Sequence, residues 1–169
     1  MRRKEKEITQ KSEIEAVIKR ALVCRLGLSD GTMPYVVPLC FGYKDNTLYL
    51  HSALKGKKID ILRGNPNVCF EFDEDTHIKK VEKPCDWGVR FQSVIGFGKA
   101  SFIEDMEEKK EALNIIMNKY VYKAEPADKN ESADNFALPD KFEFPENSVN
   151  GTAVIKIEIS SITGKRSGL

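Results

Sequence analysis

The stretch PYVVPLCFGYKDNTLYLHSA, residues 34–53, constrains the architecture most strongly. Residues 34–43 form a nearly continuous apolar run, which predicts a strand covered on both faces. After a turn at 44–46, Leu48 and Leu50 alternate with more polar residues, which predicts a second strand with one buried face. The turn is too short for the crossover that parallel strands require, so these strands must be antiparallel.

The same alternation recurs along the chain. It predicts further strands at about 22–28, 68–72, 89–103 and 153–159. The polar residues 74–88 predict a loop. Pro38 cannot donate to a ladder and indicates an edge or a bulge, while Gly96 and Gly98 within a strand indicate a bulge or a close backbone approach. Around six antiparallel strands must protect their edges, and closing into a barrel does so.

Two longer helices flank these strands. Ser12-x-x-Glu15 is a capping-box signature, and the apolar residues after it predict an N-terminal helix over 12–21. Asp105-x-x-Glu108 precedes a second apolar stripe at helical spacing. The expected class is therefore mainly β with α (α+β), a six-stranded antiparallel barrel with flanking helices.

Composition limits the classes of partner. The length fits a single domain over 1–169, in which the polar, proline-containing residues 124–150 form an extended excursion. Twenty-seven basic and 26 acidic residues leave a net charge of +1, which gives no reason to expect nucleic acid or a membrane surface. Four widely spaced cysteines favour free thiols, and no apolar run approaches the ~20 residues that span a bilayer. We expect a cytoplasmic protein.

A short helix after residue 56 begins with an unusual charge order. Lys57 and Lys58 occupy its first turn, where the helix dipole favours acids, whereas the other two helices place acids first and bases last. A solvated basic turn is one interpretation. The other is a phosphate site formed by two ammonium groups, the free first-turn amides and Gly56. The segment does not match the G-x-x-x-x-G-K-[ST] motif of a P-loop.

Four blocks of sequence resemble a known family. PYVVPLCFGY, LYLHSALKGKKIDILRGNPNVCFEFD, FQSVIGFGKA and the closing ITGK resemble, in order and spacing, the pyridoxamine 5'-phosphate oxidase-like flavoproteins, and within them the nitroimidazole-resistance (Nim) branch. The resemblance covers about residues 20–166. It implies a six-stranded split β-barrel and a homodimer that binds flavin mononucleotide (FMN) in a groove at the subunit interface. The tryptophan- and arginine-rich C-terminal stretch of the pyridoxal phosphate-forming oxidases does not occur here, which argues against that activity.

The resemblance also assigns residues to the cofactor. It implies that Lys57 and Lys58 hold the FMN phosphate, joined by Ser93 from the long strand. The isoalloxazine would lie along one strand and be lined by a second, at Val36, Val37, Pro38, Leu39, Leu50, His51 and Ser52.

His51 is open to three interpretations. It is a half-buried histidine hydrogen-bonded to the barrel, or a proton donor or substrate contact beside the flavin, where the resemblance would make it catalytic. A metal site is the weakest alternative because no second ligand has suitable spacing, so we predict no metal.

Three functions follow from these features. The first is an FMN-dependent oxidoreductase acting on small, planar, electron-poor substrates such as nitroimidazoles and nitroaromatics, with NAD(P)H as a candidate reductant. The second is a carrier or sensor that binds FMN or another flat cofactor without catalysis. The third is an oligonucleotide-binding barrel, which the neutral net charge disfavours.

Overall fold

The computed structural model describes residues 3–121 and 141–168. Short 3₁₀ turns occur at Lys4–Lys6 and Pro84–Asp86. No helix among the described residues is long and apolar enough to cross a membrane. The other elements, in chain order, are β1 (Glu7–Ile8), α1 (Lys11–Arg20), β2 (Cys24–Ser29), β3 (Pro34–Leu39), β4 (Phe41–Lys44), β5 (Thr47–Ala53), α2 (Lys57–Gly64), β6 (Asn67–Lys79), β7 (Gly88–Ile103), α3 (Met106–Val121), α4 (Glu146–Asn150) and β8 (Thr152–Ser167).

All the strands belong to one antiparallel sheet. Its order is β3-β2-β6-β7-β8-β5-β4, with β1 added to β8. The predicted class, an antiparallel sheet with flanking helices, is confirmed. The details differ, because the described residues form eight strands rather than six and the hydrogen-bonded path among them is not closed.

Cys40 connects the two ends of that path. β3 ends at Leu39 and β4 begins at Phe41, yet they are the outermost strands on opposite sides of the sheet. The prediction of a single strand over 34–43 is therefore wrong. The covalent chain, rather than a ladder, closes the barrel, and we call this join at Cys40 the seam. Pro38 lies in an edge strand, as predicted.

The sheet curls around one core. Phe41 of β4 contacts Phe72 of β6 with ring centroids 4.7 Å apart, although these strands are not paired. Phe70 lies beside Phe72 at 5.7 Å. A Cβ at Gly96 would lie 2.2 Å from the Phe70 ring, so the predicted close approach at this glycine is confirmed. The β7–β8 register shifts between Phe97 and the next residue, which is the predicted bulge.

α1 packs Val17 and Ile18 into this core. The predicted helix over 12–21 is present, but its capping box is wrong. Gln10 is the N-cap residue and no side chain caps the helix, so Ser12 lies within the first turn. Glu15 instead accepts a hydrogen bond from the Tyr43 hydroxyl at 3.2 Å.

α3 is capped as predicted and fastens the seam. The Asp105 carboxylate accepts a hydrogen bond from the Glu108 amide at 2.9 Å. At the other end of the helix, the Tyr120 hydroxyl donates to the Leu22 carbonyl at 2.8 Å and accepts from the Phe41 amide at 2.9 Å. The helix thus bonds the first residue of β4 to the segment that leads into β2.

Two predicted irregular segments need correction. The loop predicted over 74–88 is shorter, because β6 runs to Lys79 and β7 begins at Gly88, so that only residues 80–87 lie outside the strands. Of the predicted excursion at 124–150, residues 124–140 lie outside the described residues. The remainder contains α4, and the buried Asn114 side chain of α3 accepts from the Phe142 amide at 2.7 Å, so this part is anchored to α3.

Candidate cofactor site

The start of α2 has an open backbone geometry. Gly56 precedes the helix with φ 128°, a region that favours glycine, and no side chain caps the helix. The amides of Ile59 and Asp60 donate to the Gly56 carbonyl at 2.9 and 3.1 Å. The amides of Lys57 and Lys58 precede these and have no carbonyl partner within the helix. A Cβ on Gly56 would meet no atom within 4 Å, so the approach to these amides is unobstructed.

Two lysines add positive charge to this helix start. The exposed Lys57 ammonium lies 4.8 Å from the centre of the Tyr35 ring on β3. Lys58 is partly buried. Within the described residues, no carboxylate forms an ion pair with either lysine. The helix start therefore presents unneutralised positive charge, which suits an anion.

Asp30 is an acid whose carboxylate feels the charge of Lys57. Hydrogen bonds from the Met33 amide and from Thr32, with a smaller contribution from the nearby Lys57, lower the pKa of Asp30 to about 2. The Asp30 carboxylate is hydrogen-bonded within its own turn and does not pair with Lys57. Lys57 can therefore bind another anion.

β5 ends immediately before α2 and carries three predicted residues. Leu50 is fully buried in the core, so it can contribute only its backbone. The Ser52 hydroxyl is buried and has no hydrogen-bond partner among the described residues. A buried hydroxyl without a partner is costly, so Ser52 suits a polar ligand group.

His51 is exposed and pairs across the sheet with Val154 of β8. Val154 packs against Ala112 of α3, so the histidine lies on the outer face that α3 partly covers. Its imidazole makes no hydrogen bond with another described residue. His51 is therefore not the half-buried, hydrogen-bonded histidine of the first interpretation.

β3 has one buried and one open face. Val37 and Leu39 pack against the core, whereas Val36 and Pro38 face outward and are exposed. The prediction of a strand covered on both faces is wrong for the single chain. As an edge strand, β3 also has backbone groups on its free side that no neighbouring strand uses.

Ser93 is not brought to the lysines. Tyr35, which contacts Lys57, pairs with Leu28 near one end of β2. Ser93 pairs with Asp73, which lies beyond the other end of β2 along β6. About five residues of strand, or roughly 17 Å, separate the two rows. One chain thus joins the β3 and α2 parts of the predicted site and leaves Ser93 apart.

The residues present fit a phosphorylated flat cofactor. The α2 start offers amides and ammonium groups for a phosphate, the open face of β3 offers apolar surface for a ring, and Ser52 offers an unpartnered hydroxyl. Tyr35, whose ring lies beside Lys57, was missed by the sequence reasoning because the contact joins elements distant in the chain. No group of three or more potential metal ligands occurs within the described parts of the chain.

Comparisons of the sequence and of the structure with known proteins agree on one family. A family model described as pyridoxamine 5'-phosphate oxidase matches residues 10–166. A candidate 5-nitroimidazole antibiotic resistance protein from Bacteroides thetaiotaomicron VPI-5482 is 37% identical with a TM-score of 0.76, and the match covers 95% of this chain and 86% of that one. An FAD-binding protein from Mesorhizobium loti shares the fold at 23% identity and a TM-score of 0.63, over 94% of this chain and 96% of its own.

Among curated proteins, an uncharacterized protein of Rhizobium meliloti (strain 1021) is 31% identical over 67 residues. The match covers 40% of this chain and 44% of that relative, so it spans less than half of the relative's length.

Proposed function

The chain belongs to the pyridoxamine 5'-phosphate oxidase family, and from this membership we propose that it is an FMN-dependent reductase of small, planar, electron-poor compounds such as nitroimidazoles and nitroaromatics. The observation that carries the proposal is the uncapped start of α2, where Gly56, Lys57 and Lys58 present amides and unneutralised charge. Nitroimidazoles as the substrate class are supported by the description of the 37% identical Bacteroides protein.

Lys57 and Lys58 hold the FMN phosphate in this proposal. A phosphate dianion accepts hydrogen bonds from the first-turn amides and from both ammonium groups, and charge-assisted bonds of this kind are about twice as strong as neutral ones. The contact between Lys57 and Tyr35 is a weak competitor, since an exposed cation–π interaction contributes about 0.5–1 kcal/mol. Lys57 can therefore turn toward the phosphate at small cost.

The flat ring of the cofactor lies along β3. Val36 and Pro38 supply exposed apolar surface, and the free backbone of this edge strand supplies hydrogen bonds to the polar edge of the ring. Val37 and Leu39 support the strand from the core side. Ser52 and the backbone of Leu50 complete the groove, because the Ser52 hydroxyl needs a partner.

The active form is a homodimer with one FMN groove at each end of the interface. Val36 on β3 and Phe97 on β7 are 63% and 54% exposed. They lie on one cross-strand row through Gly27 and Cys69, and Ile95 extends the patch along β7. A contiguous apolar patch of this kind marks an interaction surface. Within one chain Ser93 is too far from Lys57 to share a ligand with it. In the proposed dimer, Ser93 of a second copy comes within reach of Lys57.

The bound flavin supplies the electron transfer chemistry, and this chain positions it and manages protons. His51 donates a proton to the reduced substrate, because its exposed imidazole is accessible to a bound molecule. NAD(P)H is the reductant. We place the reaction in the cytoplasm, where reducing conditions keep the four cysteines as free thiols.

The absorption spectrum of the purified protein tests this proposal most directly. We expect a yellow protein whose visible flavin band is bleached by NADH or NADPH and restored by a nitroimidazole. Mass spectrometry of the group released on denaturation distinguishes FMN from FAD. A flavin band that neither nucleotide bleaches would favour the carrier or sensor alternative, and a colourless protein that does not bind added FMN would contradict both.

His51→Ala tests the catalytic assignment. We expect the variant to retain flavin but to turn over substrate at least 100-fold more slowly, within the range for general acid catalysis. The pH–rate profile should lose one limb. Unchanged turnover and an unchanged profile would show that His51 takes no part in the reaction.

Phe97→Asp tests the dimer. Analytical ultracentrifugation should show a dimer for the wild-type protein and a monomer for the variant, which should also lose flavin because the groove is incomplete. Thr47→Asp on β5, away from the patch, should remain dimeric. A monomeric wild-type protein that retains flavin would contradict the shared groove.

A further inference from the structure

A small cavity lies beside the segment that joins β5 to α2, where Leu54 contributes to its lining. The last turn of α2, the end of β7, the beginning of β8 and the first turns of α3 enclose about 90 Å³. Its lining includes Arg63, Phe102, Ile103, Glu104, Lys109 and Val154. This volume is several times the ~10–15 Å³ of accessible space that one water molecule requires, so it suits a group of a few heavy atoms rather than a flavin.

Lys109 is the unusual residue of this cavity. It is 8% exposed, and it lies on the buried side of α3, one turn before Ala112. Its ammonium forms no hydrogen bond or ion pair with another residue in the described ranges 3–121 and 141–168. The buried part is the aliphatic stem, whereas the unpaired ammonium keeps contact with solvent at the cavity.

Arg63 brings a second cation to the same cavity. It belongs to the last turn of α2, and its guanidinium lies 5.9 Å from the centre of the Phe102 ring. Glu104 is the one acid in the lining, and its carboxylate is not within ion-pair distance of either cation. The cavity lining therefore carries two cations and one acid, so it has more positive than negative charge.

We propose that this cavity binds a small oxyanion group, a carboxylate or a phosphate, between Lys109 and Arg63. The ammonium of Lys109 donates to the anion from the α3 side, and the guanidinium of Arg63 can donate two parallel hydrogen bonds from the α2 side. The cavity adjoins the proposed reaction site, because Val154 lies directly opposite His51.

Nuclear magnetic resonance titrations of the purified, flavin-containing protein test this site. Inorganic phosphate and, separately, acetate are added at constant ionic strength. The amides of Ile103, Glu104 and Val154 report on the cavity, while those of Gly56 and Lys57 report on the proposed cofactor site. Lys109→Met removes the ammonium and retains most of the side-chain volume. Lys110→Met is the matched control, since Lys110 is the next residue of the same helix and pairs with Glu107 outside the cavity.

We expect saturable shifts at the cavity amides with at least one anion, weakened about ten-fold or more by Lys109→Met, as for loss of one charge-assisted hydrogen bond, and retained in Lys110→Met. A response to phosphate alone identifies a phosphate group, and a response to acetate alone identifies a carboxylate. Arg63→Gln should weaken binding as well, and it replaces Lys109→Met if that variant does not fold. Shifts confined to Gly56 and Lys57, or an unchanged affinity in the variants, would contradict the site and leave the FMN proposal untouched.

Discussion

The helices α2 and α3 begin in opposite ways. α3 is capped by Asp105 and places Glu107 and Glu108 in its first turn, so its exposed amides and its dipole are satisfied by its own sequence. α2 begins with glycine and two lysines and has no cap. The contrast separates a helix that holds the fold together from one whose start is left for a ligand. The start of α2 is therefore less stable by itself, and a bound anion can restore the missing stability.

The double variant Lys57→Glu/Lys58→Glu tests this contrast with the largest expected effect. Removal of two charge-assisted contacts to a phosphate should weaken FMN binding by about 3 kcal/mol or more, at least about 100-fold. The flavin-free variant should be as stable as wild type or a few tenths of a kcal/mol more so, because acids suit a helix start. Equilibrium dialysis with FMN and urea unfolding of the flavin-free protein measure the two quantities.

Lys11→Glu is the control for that variant, since it reverses a charge in the first turn of α1 and should leave flavin binding unchanged. Full flavin retention by the double variant would show that α2 does not hold the phosphate.

Tyr120→Phe probes the far end of α3, where the expected effect is on stability alone. The hydroxyl bonds both the Leu22 carbonyl and the Phe41 amide, so its loss should lower the free energy of unfolding by about 1–3 kcal/mol. Flavin affinity per folded molecule should be unchanged. Tyr43→Phe, which removes one hydrogen bond to Glu15, should cost less. Equal losses in urea unfolding for the two variants would refute the role of α3 at the seam.

Asp105→Ala removes the cap of α3. The expected loss is about 1 kcal/mol of unfolding free energy, without a change in flavin binding. Asp105→Ser should recover most of the stability, because a serine oxygen can also accept from the Glu108 amide. If the alanine variant were as stable as wild type in thermal unfolding, the Asp105 cap would contribute nothing to the stability of the protein.

The smallest expected effect concerns Asp30, the acid beside α2. Its pKa is lowered from 3.8 to about 2 in the folded protein, first by the Met33 amide and then by Thr32. A lowered carboxyl pKa contributes stability that is fully present above the unfolded pKa and is lost as pH falls toward the folded one. The free energy of unfolding of the wild-type protein should therefore fall relative to that of Asp30→Asn as the pH decreases from about 4 to about 2. Urea unfolding across that range measures the difference, and a constant difference would contradict the shift.

Much of this architecture could be predicted because local patterns and tertiary structure agree. Alternation at Leu48 and Leu50 gave the correct face of β5, and the charge order at Lys57 drew attention to α2. The seam could not be predicted, because residues 34–43 are apolar throughout and periodicity does not reveal a break at Cys40. Alternation does not reveal the strand residues 75–79, because both faces of β6 are exposed there.

The site was harder to predict than the fold. The separation of Ser93 from Lys57 depends on strand order, which spacing in the sequence does not encode. Lys109 carried a local signal that was missed. It lies three residues before Ala112 and seven before Ile116 on the apolar stripe of α3, and a lysine in such a stripe points to buried charge. The missing hydrogen bond of Ser52 is visible only in three dimensions.

The two prolines of β3 have a consequence for how copies of the chain can assemble. β3 ends the ladder, and an exposed edge strand invites another molecule to extend the sheet indefinitely. Pro34 and Pro38 remove two amide donors from six residues, which blocks continuous strand addition and so opposes fibrous growth. The proposed dimer would therefore form side chain to side chain, across the faces of the two sheets, rather than by adding strands to β3.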